Sequence, residues 1–245
     1  LLFLGVLYDR FAETLMDRLT GERLQAQMAA TGSRLGAFFD NRSYQLETLS
    51  THPALPLYLQ EPSSSAADKL EGLLRIEADV PDLYGILFLD GRDALTHVVA
   101  GQAASGPPYW GGSGWHIDHL PRVSNGNLEL IGPALPEHSR PGWLLMRQPI
   151  RGAAPGGAET VALHVRLASV TELLGAEAVP GVVRPLLRVP GGALLDATGR
   201  PVSEPGELIR GPEVLPGWIV EYAVQPEPLL GPLQQTRLGI YLLAL

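Results

Sequence analysis

Cysteine is absent from this chain, and lysine occurs once, at Lys69. Without thiols there can be no disulfide framework and no thiolate metal site. With a net charge of -8 and no cluster of basic residues, the chain offers no footprint for a nucleic-acid phosphate backbone. No apolar run approaches the ~20 residues that cross a bilayer. Enzyme signatures are missing as well. Gly111-Gly112-Ser113-Gly114-Trp115 lacks the final glycine of a nucleophile elbow. No glycine loop ends in Lys-Ser/Thr, and Gly85, Gly91 and Gly101 lack dinucleotide spacing. The carboxylates Asp90 and Asp93 fall in a turn with no cleft implied. Neither catalysis nor a cofactor is expected, and a binding or sensing role is left.

What the chain does have is two greasy ends, Leu1 to Tyr8 and Leu238 to Leu245. Each reads as the stub of a membrane helix, which implies a domain held between two spans; ordinary core-facing helix ends are the alternative. From Tyr8 to about Ser50, apolar residues recur at helical spacing: Phe11, Leu15, Leu19, Leu24, Met28, Leu35, Phe39, Leu46 and Leu49. One long helix is predicted despite Gly21, Gly32 and Gly36. At ~1.5 Å per residue it is long enough to run as a spine past more than one module.

Pro53 and Pro56 interrupt a second helical stretch, and Asp68 to Asp79 is a short amphipathic helix. The period then changes. Leu83 to Leu89 and Ala94 to Ala100 form a β-hairpin around Asp90-Gly91-Arg92-Asp93. Residues 101 to 126 are a long loop rich in Gly, Pro, Ser and aromatics, and strands resume at Asn127–Ile131, Trp143–Ile150 and Glu159–Leu167. After a helix from Ser169 to Leu174, a second β-rich part echoes the first. Leu194-Leu195-Asp196-Ala197-Thr198-Gly199-Arg200 repeats Phe88-Leu89-Asp90-Gly91-Arg92, and Pro216-Gly217-Trp218 repeats Pro141-Gly142-Trp143. The marks lie further apart in the first copy. A duplicated α/β module follows, with the aromatic loop as the first copy's insertion; chance is the alternative in a chain with 28 glycines and 22 prolines.

Small-molecule pockets are concave and largely apolar, with a few oriented polar groups. The segment Pro107 to His119 concentrates those ingredients: Tyr109, Trp110 and Trp115 could cover a ligand while His116 or Asp118 fixes a donor. Packing of these aromatics as core is the competing role. Tyr84 alternates with Ile86 and Phe88, so all three are expected to share one face. Trp143 and Arg147 share a face of their strand, where a buried guanidinium needs an anionic partner and could find one in a carboxylate ligand. His116, Asp118 and His119 are too sparse for a metal centre, and no metal is expected. His52, His97, His138 and His164 read as ordinary surface or core histidines.

A membrane stub, a long spine helix, two hairpin-bearing modules and a return into membrane resemble the double Cache sensor domains of bacterial transmembrane receptors. The marks are LYGILFLDGRD, WLLMRQPI, ALLDATGR and PGWIVEYAV running out to LGIYLLAL. The resemblance implies an α+β fold: a long N-terminal helix followed by two tandem PAS-like (Cache) modules, each with an antiparallel sheet of about five strands. The expected boundaries are 1–50 for stub and spine, 51–167 for the membrane-distal module, 168–228 for the membrane-proximal one and 229–245 for a helix entering the second span. It also implies a small-molecule ligand in the distal module, a periplasmic or extracellular position at the bacterial inner membrane, and a homodimer in the full receptor. The output expected first is a histidine kinase, with a diguanylate cyclase or chemoreceptor as alternatives. Amino-acid-binding members use an aromatic and arginine motif, and no arginine lies between Gly101 and Pro121. A competing class is a protein-interaction scaffold with no small-molecule ligand.

Overall fold

The computed structural model describes residues 2–60, 65–101, 117–137, 140–175 and 183–224. Tyr109, Trp110, Trp115 and His116, the apolar run at 238–245 and the helix expected from 229 lie outside them. The spine is one uninterrupted helix, α1 (Leu2–Ser50), of 49 residues. Two short helices follow, α2 (Leu55–Gln60) and α3 (Ser65–Ala78). Among the described residues no helix is long and apolar enough to cross a membrane.

Six strands then build an antiparallel sheet: β1 (Leu83–Leu89), β2 (Leu95–Ala100), β3 (Arg122–Asn125), β4 (Leu128–Ala134), β5 (Trp143–Pro149) and β6 (Thr160–Arg166), in the order β2-β1-β6-β5-β4-β3. Helix α4 (Leu167–Gly175) leads to a second antiparallel sheet of β7 (Val183–Arg188), β8 (Leu194–Leu195), β9 (Leu208–Leu215) and β10 (Trp218–Val224), in the order β8-β7-β10-β9. Among the described residues the sheets have six and four strands, and the first carries the additional β3–β4 hairpin.

Helix α1 touches both sheets, which is why its apolar positions span so much sequence. Phe39 meets Trp218 of β10 edge-on at 5.4 Å between ring centroids, and the Tyr222 hydroxyl donates to Thr31 Oγ1 at 3.0 Å. Gly32 is where β9 comes closest: a Cβ there would lie 2.5 Å from Pro212 Cγ. Further along, Arg42 pairs with Asp82 at 2.6 Å, Gln45 Nε2 donates to Glu77 at 2.7 Å, and Ser50 Oγ donates to Gln148 on β5 at 3.2 Å. Leu35 and Leu46 are fully buried in the core this helix shares with the inner face of both sheets.

The internal repeat is present at atomic detail in one turn of each sheet. Asp90 Oδ1 accepts from the backbone N–H of Arg92 and Ala94, both at 2.8 Å, and Asp196 Oδ1 accepts from those of Thr198 and Arg200 at 2.9 and 3.1 Å. The backbone bonds match too: Asp90 N to Ala94 O and Asp93 N to Asp90 O in one, Asp196 N to Arg200 O and Gly199 N to Asp196 O in the other. The register differs from the sequence expectation. Gly199 is equivalent to Asp93 and not to Gly91, since Asp93 and Gly199 hold the left-handed position, at φ 62° and 76°. Asp tolerates that conformation better than most side chains do. In the first copy the turn thus displays a carboxylate where the second has none.

Candidate ligand-binding site

The six-stranded sheet has two buried faces. Ile86, Phe88, Leu144, Met146, Leu163 and Val165 face α1. On the other, outer face Leu87, Leu89, Ile131, Leu145 and Ala162 form an apolar floor, on which Ile117 and Leu120 pack. Alternation along paired strands produces this division.

At one end of the outer face two rings gather around His164, which pairs across the sheet with Gly85 and with Leu145. Its ring centroid lies 5.0 Å from that of Tyr84 and 5.1 Å from that of Trp143. Tyr84 does not share a face with Ile86 and Phe88 as alternation predicts. A register shift between Leu83 and Gly85 turns it over to the outer face, leaving Ile86 and Phe88 in the α1 core. His164 is wholly buried, and burial pushes its pKa down to about 3, so the imidazole is neutral at physiological pH. The isolated position of His164 in the sequence hid this role; its place two residues from Ala162 on β6 is the signal that a known strand pairing would have exposed.

At the other end stands a charged group. Arg147 Nε donates to Glu129 Oε2 at 2.8 Å, its Nη2 lies 2.7 Å from the same oxygen, and its Nη1 is bonded to Asp93 Oδ1. Arg122 adds Asp93 at 3.0 Å, with Glu129 and Asp118 each at 3.7 Å. Burial pushes the Asp93 carboxyl upward, but Arg147 and Arg122 outweigh it and hold it below its usual value. Burial likewise opposes the charge of Arg147, and its bonds to Asp93 and Glu129 overcome that and raise its pKa. The anionic partners that Arg147 needs therefore come from the protein. Asp93, expected only as a turn residue, reaches them because its left-handed backbone aims it at the sheet. Asp118 is mostly exposed, its side chain retaining 87% of its accessible surface.

Trp143 has a second exposure. With Leu120, Pro121 and Leu135 it lines a cleft of about 470 Å³ that is closed on its far side by Val189 and Pro190, in the connection from β7 to β8. One indole thus borders both the outer face and the gap between the sheets.

Solved structures share this fold. The ligand-binding domain of the Pseudomonas aeruginosa PAO1 amino acid chemoreceptor PctB, in complex with L-Gln, superposes with a TM-score of 0.53 at 14% identity, over 90% of this chain and 98% of that one. A domain from a Vibrio parahaemolyticus protein assigned to the sensory box/GGDEF family gives 0.54 at 14% identity, over 84% and 96%. The fold is of the Cache type. The extracellular domain of vpHK1S-Z8, assigned as a histidine kinase, gives 0.52 at 18% identity over 69% and 68%. At these identities the likeness is one of fold. Comparisons with family models and with curated proteins return no match.

Proposed function

We propose that this chain is the extracytoplasmic small-molecule-sensing domain of a bacterial transmembrane receptor, with its ligand held over the outer face of the six-stranded sheet. The observation that carries the reading is that face: an apolar floor with three clustered rings at one end and a clamped ion group at the other, on a fold shared with a domain solved in complex with L-Gln. In this reading Tyr84, Trp143 and Arg147 bound the site from the sheet. Tyr109, Trp110, Trp115, His116 and Asp118 close it from the segment at 101–126. Residues 51–167 are the distal module, 168–228 the proximal one, and the spine and 229–245 lead to the membrane. The full receptor is a homodimer, and a histidine kinase is the output assigned to it first.

Signalling requires a ligand that binds two conformations with different affinity, since equal affinity moves nothing. Trp143 supports a route: a ligand that shifts the indole alters the cleft against Val189 and Pro190, and with it the second sheet. A thermal-shift screen against organic acids, amino acids, amines, purines and divalent metals tests the proposal. One chemically coherent class should raise the midpoint, a ligand at one hundred times its Kd adding ~2.7 kcal/mol. Trp115→Ala and Asp118→Ala should weaken that response while leaving the unliganded midpoint nearly unchanged. Equal destabilisation with and without ligand assigns those residues to packing, and silence across the library favours a protein partner.

A further inference from the structure

We propose a second binding site, on the α1 side of the six-stranded sheet, that takes an uncharged polyhydroxylated ligand such as a sugar or polyol. It is a cleft of about 610 Å³ between the last two turns of α1, the β3–β4 turn and the end of β5, within the size range of small-molecule sites. The proposal does not depend on the outer-face site, which lies across the sheet from it.

Gln148 is the central observation. Its side chain points to the α1 side, and the residue is only 8% exposed. Its Oε1 accepts from Ser50 Oγ at 3.2 Å, its Nε2 has no acceptor among the described residues, and the residue lines the cleft. Unlike the Trp218 indole nitrogen, which is buried without a partner, this amide nitrogen is open to solvent and can meet a ligand there. Turning the amide over only exchanges which end is held by Ser50, so in either orientation a polar group faces the cleft. A hydroxyl, donor and acceptor at once, answers both.

The walls of the cleft carry no net charge. Glu47 on α1 and Arg151 after β5 both line the cleft, and neither forms an ion pair among the described residues. One carboxylate and one guanidinium sum to zero, and each can bind a hydroxyl. Ser43, Asn125 and Asn127 add neutral hydroxyl and amide groups, the pattern a diol-bearing ligand matches. Leu128 and Ile150, 6% and 5% exposed, contribute to the lining the apolar surface that the C–H face of a sugar ring covers. The cleft is also preorganised: Arg151 N donates to Ser50 O at 2.9 Å and Ile150 N to Glu159 O at 2.8 Å, so its walls are fixed before a ligand arrives.

Titration calorimetry on the full chain with D-glucose, D-galactose, D-ribose and myo-inositol, beside L-glutamine as a zwitterionic control and succinate as an anionic one, tests this. At least one polyol should bind, and Glu47→Gln, Asn127→Ala and Gln148→Leu should each weaken it by about tenfold, the effect of a lost charged or buried hydrogen bond. Glu47 and Asn127 are exposed, so their variants keep the fold even if Gln148→Leu, which removes one of the two acceptors of Ser50 Oγ, does not. Trp143→Ala should leave polyol affinity unchanged while weakening an outer-face ligand, which separates failure here from failure of the sensor reading. No heat from any polyol, binding insensitive to Glu47→Gln and Asn127→Ala, or binding of L-glutamine or succinate that those two variants abolish would each overturn the proposal.

Discussion

His164 has the most displaced acid–base equilibrium on the outer face, and its consequence is measurable. Unfolded, it titrates near 6.5; buried beneath Tyr84 and Trp143, it titrates at about 3. Between those values the unfolded chain binds a proton that the native chain refuses. Stability is therefore complete above about pH 6.5 and falls as pH drops, by up to about 1.4 kcal/mol per unit. Denaturant titrations from pH 7 to pH 4 should show that decline, and His164→Gln should flatten most of it. The slope left in the variant is the share of carboxylates such as Asp93, whose lowered pKa acts in the same direction at lower pH. None of this is visible residue by residue in the sequence. A histidine between Leu163 and Val165 looks like any strand histidine until the strand order puts β6 at the middle of the sheet, between β1 and β5.

Elements are far more legible in the sequence than the contacts between them. The spine, the hairpin at 83–100, the strands expected at 127–131, 143–150 and 159–167 and helix α4 follow from period and turn chemistry alone, whereas β3 lies in a stretch that reads as loop and β4 runs on past Ile131 to Ala134. Their faces follow only where the period is unbroken, and at Tyr84 it breaks, because a bulge costs one position of alternation and leaves no mark in composition. The equivalence of Asp93 and Gly199 is hidden for a related reason: hydrogen bonds and φ define it, while letters favour matching glycine with glycine. In sequence the glycines of α1 are all alike, weak points in a helix, and the structure separates two of them. Beside Gly36 nothing lies within 4 Å of the place a Cβ would take, while at Gly32 Pro212 occupies it. Gly36→Ala should stabilise the chain by about 0.5–1 kcal/mol through helix propensity. Gly32→Ala should destabilise it despite the same gain, by prising α1 from β9. Thermal or urea unfolding of the two variants side by side decides between these signs.

At the scale of the whole molecule, α1 grips both sheets along one continuous helix. Thr31, Gly32 and Phe39 engage the four-stranded sheet, and Arg42, Gln45 and Ser50 engage the region of the six-stranded one. The two sheets are consequently held in phase. Each residue added to an α-helix turns everything beyond it by ~100° and advances it by ~1.5 Å. One alanine inserted after Asp40 should therefore break one set of grips and lower the unfolding midpoint sharply. Seven alanines miss full rotation by only ~20° and should recover part of that loss while spreading the sheets ~10 Å apart, a spacing that small-angle scattering can resolve. A domain wired this way transmits angle as faithfully as distance: a ligand that twists one sheet by a few degrees delivers the same few degrees to the other, with no joint in between to absorb them.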